Sequence, residues 1–212
     1  MAVDIGELLG LLLTEHAHQS DDRYHYRLTM VPAGEVTLPT GRVVACDPLV
    51  HTGSAPPFTV AVSPGRYRLR AWVAIATAGG LEIERRTAAL QLVVRDEPAA
   101  AWEPARMSDA GPPAVLDEDG FAAYPADSGT GTLADERALA GLARWPYERL
   151  ESTYLADQSA AAPAVVDAVT DDDTGANVVA VQTGWHDGGY ATFVGRTAGG
   201  AVASFVTDFR VL

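Results

Sequence analysis

Two glycine pairs, each set between long apolar or alternating segments, constrain the fold of this chain more than any other feature. The pairs and their flanking segments are Gly79-Gly80 between residues 67–77 and 81–95, and Gly199-Gly200 between residues 190–195 and 201–211. A glycine pair between two such segments is typical of a β-hairpin, because glycine adopts the positive φ values of tight turns without strain. The sequence therefore predicts antiparallel strands in both halves of the chain.

The rest of the pattern predicts further strands and three helices. Other extended segments lie at residues 24–30, 36–38, 43–46, 58–62, 165–169 and 178–183. Apolar residues at helical spacing predict an amphipathic helix over residues 4–18 with Asp4 as its N-cap. In the second half, one helix follows Asp135 and another runs from residue 147 to about residue 156. We therefore expect a mainly β, α+β fold, either a β-sandwich or a β-meander.

The order of these segments predicts one domain over residues 1–212. The first β-half covers residues 23–96, a Pro-rich acidic connection follows at 97–120, and the second half with its helices covers 121–212. The two halves of the chain share short sequence matches around Asp47 and Asp127. Either an internal duplication or chance agreement among common turn residues would explain them.

Composition excludes several functions. All 15 basic residues are Arg, so the chain has no lysine for a Schiff base, a pyridoxal aldimine or a P-loop. The formal net charge of −13 disfavours nucleic acid and membrane partners. Cys46 is the only cysteine, which excludes an intrachain disulfide and suits the cytoplasm. No cofactor is predicted, although a divalent cation remains a candidate.

The first of two Asp-Gly turns is D-S-G-T-G-T-L-A-D at residues 127–135. Asp127, Ser128 and Asp135 offer oxygen atoms to a hard cation, or two carboxylates for proton transfer. The simpler interpretation is that Asp127 braces a tight turn while Asp135 caps the following helix.

The second turn is G-W-H-D-G-G-Y at residues 184–190. Trp185, His186, Asp187 and Tyr190 could together bind a sugar or a basic side chain, or polarise a nucleophile. The simpler interpretation is a hairpin whose Asp187-Gly188 forms the turn and whose two aromatic residues pack across strands. A site built from both turns is the sharper hypothesis, because neither turn alone contains an acid, a base and a binding surface.

An ordered set of motifs resembles one known family. These motifs are G-R-V-V-A-C-D-P-L at 41–49, P-G-R-Y at 64–67, V-R-D-E-P at 94–98, D-S-G-T-G at 127–131, and G-W-x-D-G-x-Y followed by T-D-F. Together they resemble the bacterial domain of unknown function 4241 from about residue 41 to the C-terminus. The resemblance implies a single β-rich domain and assigns no catalytic role to any residue.

Two functions follow as hypotheses. The first is a non-enzymatic binding or protein-interaction domain that recognises a protein or a small neutral or cationic ligand, with an immunity-like role as one version. The second is a carboxylate-dependent hydrolase, with or without a metal ion, in which Asp127, Asp135 and Asp187 are ligands or acid and base, and His186 is their partner.

Overall fold

The computed structural model describes residues 4–50, 55–108, 115–117, 119–155, 161–185 and 187–212. Three short helices are present among these residues: α1 (Ile5–Leu12), α2 (Glu136–Leu142) and α3 (Tyr147–Tyr154). The strands are β1 (His18–Ser20), β2 (His25–Leu38), β3 (Val43–Cys46), β4 (Gly65–Ala78), β5 (Leu81–Val93), β6 (Ala101–Pro104), β7 (Val115–Leu116), β8 (Ala122–Ala126), β9 (Thr130–Asp135), β10 (Val166–Asp171), β11 (Ala176–Gln182), β12 (Gly188–Arg196) and β13 (Val202–Asp208). No described helix has the length and apolar character needed to cross a membrane.

The strands form two antiparallel sheets. The large sheet has the order β1-β2-β4-β5-β13-β12-β8-β7, with β6 also paired to β12, and the small sheet has the order β10-β11-β9-β3. Both predicted glycine hairpins are confirmed as β4–β5 and β12–β13, and pairing of β5 with β13 places them side by side in the large sheet. The expected β-rich α+β fold is confirmed.

The two sheets pack face to face through one apolar core. In β3 of the small sheet, Val43 and Ala45 contact this core, which also contains Leu69 and Leu92 of the large sheet. The intervening residue Val44 belongs to a second cluster on the opposite face of the small sheet. This alternation is the period of two that an extended strand imposes on its side chains.

Helices cover the outer faces of both sheets. Leu9 and Leu12 of α1 pack on the outer face of the large sheet beside Leu28 and Trp72. The helices α2 and α3 cover the small sheet. The predicted cap of α1 is confirmed, since Asp4 Oδ1 accepts hydrogen bonds from the N–H groups of Gly6 at 2.9 Å and Glu7 at 3.1 Å. The molecule is therefore a β-sandwich with α1 on the outer face of the large sheet and α2 and α3 on the outer face of the small sheet.

Several predicted element boundaries are wrong. The N-terminal helix ends at Leu12 rather than at residue 18, because the chain turns at His16, which has a φ of 61°, and then pairs β1 with β2. Residues 58–62 form only isolated bridges rather than a strand. The predicted connection contains the short strand β6, which pairs with β12.

The largest error concerns residues 130–135, which were expected to be a loop. They form β9, whose six residues are all buried. Gly131 lets the chain pass close to Tyr124 and Phe209, since a Cβ atom there would lie 2.4 Å from the Tyr124 hydroxyl. A strand buried on both faces lacks the alternation of apolar and polar residues that identifies a half-exposed strand. The sequence pattern therefore did not predict β9.

The topology does not support an internal duplication. Asp47 follows β3 in the small sheet, whereas Asp127 follows β8 in the large sheet. The two aspartates therefore do not end equivalent strands.

Two glycines in helices give a test of the packing between α2 and β10. An added Cβ at Gly141 in α2 would lie 2.3 Å from the backbone oxygen of Thr170, whereas one at Gly10 in α1 would meet no atom within 4 Å. Overpacking should make Gly141→Ala less stable than the parent by about 2 kcal/mol. Gly10→Ala should gain about 0.5 to 1 kcal/mol from helix propensity. Urea unfolding measures both values, and stabilisation by both substitutions would contradict the packing described here.

Candidate functional site

The two Asp-Gly turns are two of the places where the chain crosses between the sheets. The first connects β8 of the large sheet to β9 of the small sheet, and the second connects β11 of the small sheet back to β12 of the large sheet. The hairpin interpretation of residues 184–190 is therefore wrong, because a hairpin joins neighbouring strands of one sheet.

The two crossings lie beside each other. Gly188 pairs with Ala126 at the junction of β12 and β8. The N–H of Thr183 donates to the carbonyl oxygen of Gly129 at 2.9 Å. The backbones of the two turns therefore meet, whereas a functional site built from both turns stays a prediction.

The first crossing is held by Asp47, which the sequence did not single out as a site residue. The Asp47 side chain is fully buried at the end of β3. Its Oδ2 accepts from the N–H groups of Asp127 at 2.9 Å and Ser128 at 2.7 Å. Its Oδ1 accepts from the Ser128 hydroxyl at 2.7 Å and the Leu49 N–H at 2.9 Å. A carboxylate with this many donors is a structural anchor.

The residues predicted in the first turn are separated by this arrangement. Asp127 is exposed, and its backbone rather than its carboxylate takes part in the turn. Asp135 is fully buried and accepts hydrogen bonds from the N–H groups of Thr40 at 3.0 Å and Arg137 at 2.9 Å. The interpretation of Asp135 as a helix cap is confirmed, and its oxygen atoms are already occupied.

The second crossing opens onto a cavity of about 610 Å³, which we call the Asp208 cavity. It is lined by Leu8, Leu116, Asp117, Asp119, Trp185, Asp187, Gly188, Gly189, Tyr190, Asp208, Arg210 and Leu212. The predicted residues Trp185, Asp187 and Tyr190 thus share one cavity, whereas Asp127, Ser128 and Asp135 do not line it. His186 lies outside the described residues.

The two aromatic residues of the second crossing have different roles. Tyr190 is buried, and its ring packs edge-to-face on Phe209 with 5.2 Å between centroids. Trp185 is 46% exposed, its indole N–H donates to the Arg210 carbonyl oxygen at 3.1 Å, and the Arg86 guanidinium lies 4.8 Å from its ring centroid. Tyr190 therefore belongs to the core, while Trp185 forms part of the rim.

Asp208, at the end of β13, is an acid of the cavity whose pKa is raised. Burial raises its pKa to about 6, and the negative charges of Asp117 and Asp119 act in the same direction. A hydrogen bond from the Arg210 N–H to Oδ1, 2.8 Å long, opposes this shift. Its Oδ2 has no hydrogen-bond partner among the described residues. Asp208 therefore presents an unused acceptor to the cavity.

Arg210 supplies the positive charge of the cavity wall. Its Nη1 lies 2.7 Å from Asp119 Oδ2 and 3.5 Å from Asp117 Oδ2. Asp117 is positioned by the N–H groups of Asp119 at 3.0 Å and Phe121 at 2.8 Å, which donate to its Oδ1. Two further carboxylates in the lining, those of Asp187 and Asp208, make no ion pair among the described residues.

Of the three residues proposed as ligands of a divalent cation, Asp135 lies apart from the other two. It ends β9 five residues after Thr130, so it lies about 16 Å along the strand from the start of β9. Over the described part of the chain, no group of three or more His, Cys, Asp or Glu side chains has an arrangement suited to a metal ion.

The fold and the cavity define a helix-covered β-sandwich with an acidic cavity at a crossing between its sheets. Residues 36–207 match the family described as Protein of unknown function (DUF4241). Because this match covers most of the chain, the protein belongs to that family. No curated protein and no solved structure matches the chain.

Sequence reasoning missed Asp117, Asp119, Asp208 and Arg210. Asp208 was visible only as the centre of the T-D-F motif, which also carries the resemblance to the family. Asp208 could have been recognised as a candidate site residue because it is an acid at the end of an otherwise apolar strand. Its partners come from distant parts of the chain, so their meeting depends on the fold.

Asp47 and Asp127 form a matched pair for testing the anchor. Asp47→Ala removes the acceptor of several buried donors and should lower the free energy of unfolding by about 3 kcal/mol or more. Asp127→Ala removes an exposed carboxylate and should change it by less than about 0.5 kcal/mol. Chemical denaturation measures both, and equal effects of the two substitutions would contradict the role given to Asp47.

The raised pKa of Asp208 predicts a pH-dependent effect of Asp208→Asn. Because the pKa of about 6 in the folded protein exceeds the ordinary value of 3.8, the folded state binds the proton more tightly. The stability contributed by this carboxyl is therefore complete below about pH 4 and is lost as the pH rises through 6. Asp208→Asn should be more stable than the parent at pH 8 by up to about 3 kcal/mol, and this gain should vanish toward pH 4. A gain that is independent of pH would contradict the burial of an ionisable Asp208.

Proposed function

We propose that this protein is a non-enzymatic binding module and that the Asp208 cavity takes a small organic cation carrying an amine or guanidinium group. The single observation that carries the proposal is the unused Oδ2 of the buried Asp208 inside this cavity. A buried carboxylate with one unused oxygen gains more from a cationic ligand than an exposed one does, because water screens it less.

The charge of the lining supports a cation. The described lining contains four carboxylates, those of Asp117, Asp119, Asp187 and Asp208, against the one guanidinium of Arg210. Arg210 itself pairs with Asp117 and Asp119, which leaves the other two carboxylates for a ligand. The excess of negative charge attracts cations to the cavity and repels anions.

The shape and the apolar lining support a small ligand with a carbon chain. A volume of about 610 Å³ falls in the usual range for small-molecule sites. Leu8, Leu116 and Leu212 line the cavity together with the acids. The methylene groups of an alkyl amine would pack on these leucines while its charged end reaches Asp208.

We further propose a cytoplasmic location for this binding function. The only cysteine, Cys46, is buried, and burial together with the neighbouring Asp47 raises the pKa of its thiol. A thiol of this kind is protonated and unreactive, and the fold does not require an oxidising compartment.

A second candidate function rests on the same acid. A carboxyl with a pKa of about 6 is suited to act as a general acid in hydrolysis, as the carboxylate-dependent hypothesis requires. In that case Asp208 and Asp187 would replace Asp127 and Asp135 as the acidic pair. Cleavage of an ester or glycoside that Asp208→Asn abolishes would favour this function over simple binding.

Two small cations are suitable probes of this proposal: agmatine, which carries a guanidinium and an amine, and cadaverine, which carries two amines. Isothermal titration calorimetry at pH 7.5 should detect binding of at least one of them to the parent protein. Asp208→Asn should weaken this binding about 10- to 100-fold, because it removes a hydrogen bond between charged groups.

The matched control is Glu148→Gln on α3, which changes the net charge by the same amount on the other side of the sandwich. It should leave the affinity nearly unchanged. The proposal fails if neither cation binds, or if Glu148→Gln weakens binding as much as Asp208→Asn does.

A further inference from the structure

A second cavity, of about 550 Å³, lies on the same outer face of the large sheet. We call it the Trp102 cavity. Its lining includes Trp72, Gln91, Trp102 and Ser204, together with Leu9 and Leu13 of α1. The strand β13 passes from one cavity to the other, with Ser204 in this one and Asp208 in the first, about 13 Å apart along the strand. The two cavities share no lining residue, so they are separate sites.

The floor of the Trp102 cavity is one row of directly paired residues across the sheet. Ser204 of β13 lies opposite Val93 on one side and opposite Gly195 on the other, and Gly195 lies opposite Trp102 of β6. Gly195 has no side chain, so the Trp102 indole lies over it. A Cβ added at Gly195 would come within 2.7 Å of the Trp102 ring. The glycine therefore positions the indole as a wall beside Ser204.

Two polar groups in this cavity, Gln91 Nε2 and the Ser204 hydroxyl, have no hydrogen-bond partner in the part of the chain that the structure describes. The Trp72 indole N–H donates to Gln91 Oε1 at 3.1 Å, and this bond orients the Gln91 amide so that Nε2 is left with unused donors. Ser204 is only 3% exposed, and its hydroxyl has no hydrogen-bond partner among the described residues. The Ser204 oxygen is not among the fully buried polar atoms that lack a partner, so it is open to the cavity and can exchange a hydrogen bond with a ligand.

The charges around this cavity cancel, unlike those of the Asp208 cavity. Arg70 and Arg95 are balanced by Asp96 and Glu97. An anion would meet the two acids, and a cation would meet the two guanidinium groups. A neutral ligand whose groups both donate and accept hydrogen bonds suits this mixed lining best, and hydroxyl groups have that property.

We propose that the Trp102 cavity binds a neutral saccharide. The half-buried Trp102 indole offers a flat apolar surface to the C–H face of a sugar ring, as aromatic residues with a polar edge do at wet binding sites, and the buried Trp72 contributes to the cavity wall. Gln91 Nε2 donates to one sugar hydroxyl, and the Ser204 hydroxyl exchanges a hydrogen bond with another. This inference does not depend on the cation proposed for the Asp208 cavity.

The test is NMR observation of the indole N–H signals during titration with glucose, galactose, N-acetylglucosamine, maltose, cellobiose and lactose. At least one of these sugars should shift the signals of Trp72 and Trp102 and leave that of Trp145 on the far side of the molecule unchanged. Ser204→Ala should weaken that sugar's binding about 2- to 10-fold without loss of thermal stability, because the hydroxyl has no partner to lose. Gly195→Ala should weaken it at least about tenfold by displacing Trp102.

Two controls separate this site from a general surface effect. Ser152→Ala on α3 should not alter sugar binding, and Asp208→Asn should not alter it either. The proposal is overturned if no sugar of the panel moves the Trp72 and Trp102 signals, or if Ser204→Ala and Gly195→Ala bind the sugar as the parent does. Stronger displacement of the same signals by benzoate than by any sugar would also overturn it, because the site would then be an anion site.

Discussion

The buried carboxylate of Asp47 stabilises the crossing from β8 of the large sheet to β9 of the small sheet. It stands at the end of β3 and accepts hydrogen bonds from the backbone of Asp127 and Ser128, which lie between β8 and β9. These N–H groups belong to a turn and have no strand partner, so without Asp47 they would lose their acceptor in the protein. The relative position of the two sheets at this edge depends on that one side chain.

The second crossing follows from the first. Because the N–H of Thr183 donates to the Gly129 carbonyl oxygen, the returning chain is held against the anchored turn. It then enters β12, where Gly188 pairs with Ala126. This path carries Trp185 and Asp187 to the edge of the outer face, where Asp208 and Arg210 lie at the end of the neighbouring strand. The Asp208 cavity is thus a consequence of how the chain changes sheets.

Local signals in the sequence predicted the parts of the fold that depend on local interactions. The glycine hairpins and the caps at Asp4 and Asp135 were predicted because a turn or a cap is determined by a few neighbouring residues. The strand β9 was missed because burial on both faces removes the alternating pattern. The interpretation of residues 184–190 as a hairpin was wrong because no local signal tells a turn within a sheet from a crossing between sheets. Of the predicted site, Trp185, Asp187 and Tyr190 share a cavity, whereas the acids that join them there come from residues 117–119 and 208–210, which only the tertiary structure brings close.

The raised pKa of the Asp208 carboxyl links the fold to the proposed function. Burial beneath the crossing raises its pKa, and the same burial leaves Oδ2 facing a cavity with an excess of acids. A bound cation would stabilise the ionised form and lower the pKa, since an opposite charge nearby favours ionisation.

The most direct measurement is therefore the titration of the Asp208 side-chain carboxyl carbon by ¹³C NMR, with and without agmatine. We expect a pKa close to 6 for Asp208 in the free protein, and a clear fall in this pKa when agmatine is bound. An ordinary aspartate pKa in the free protein, or a pKa of about 6 that agmatine does not change, would contradict it.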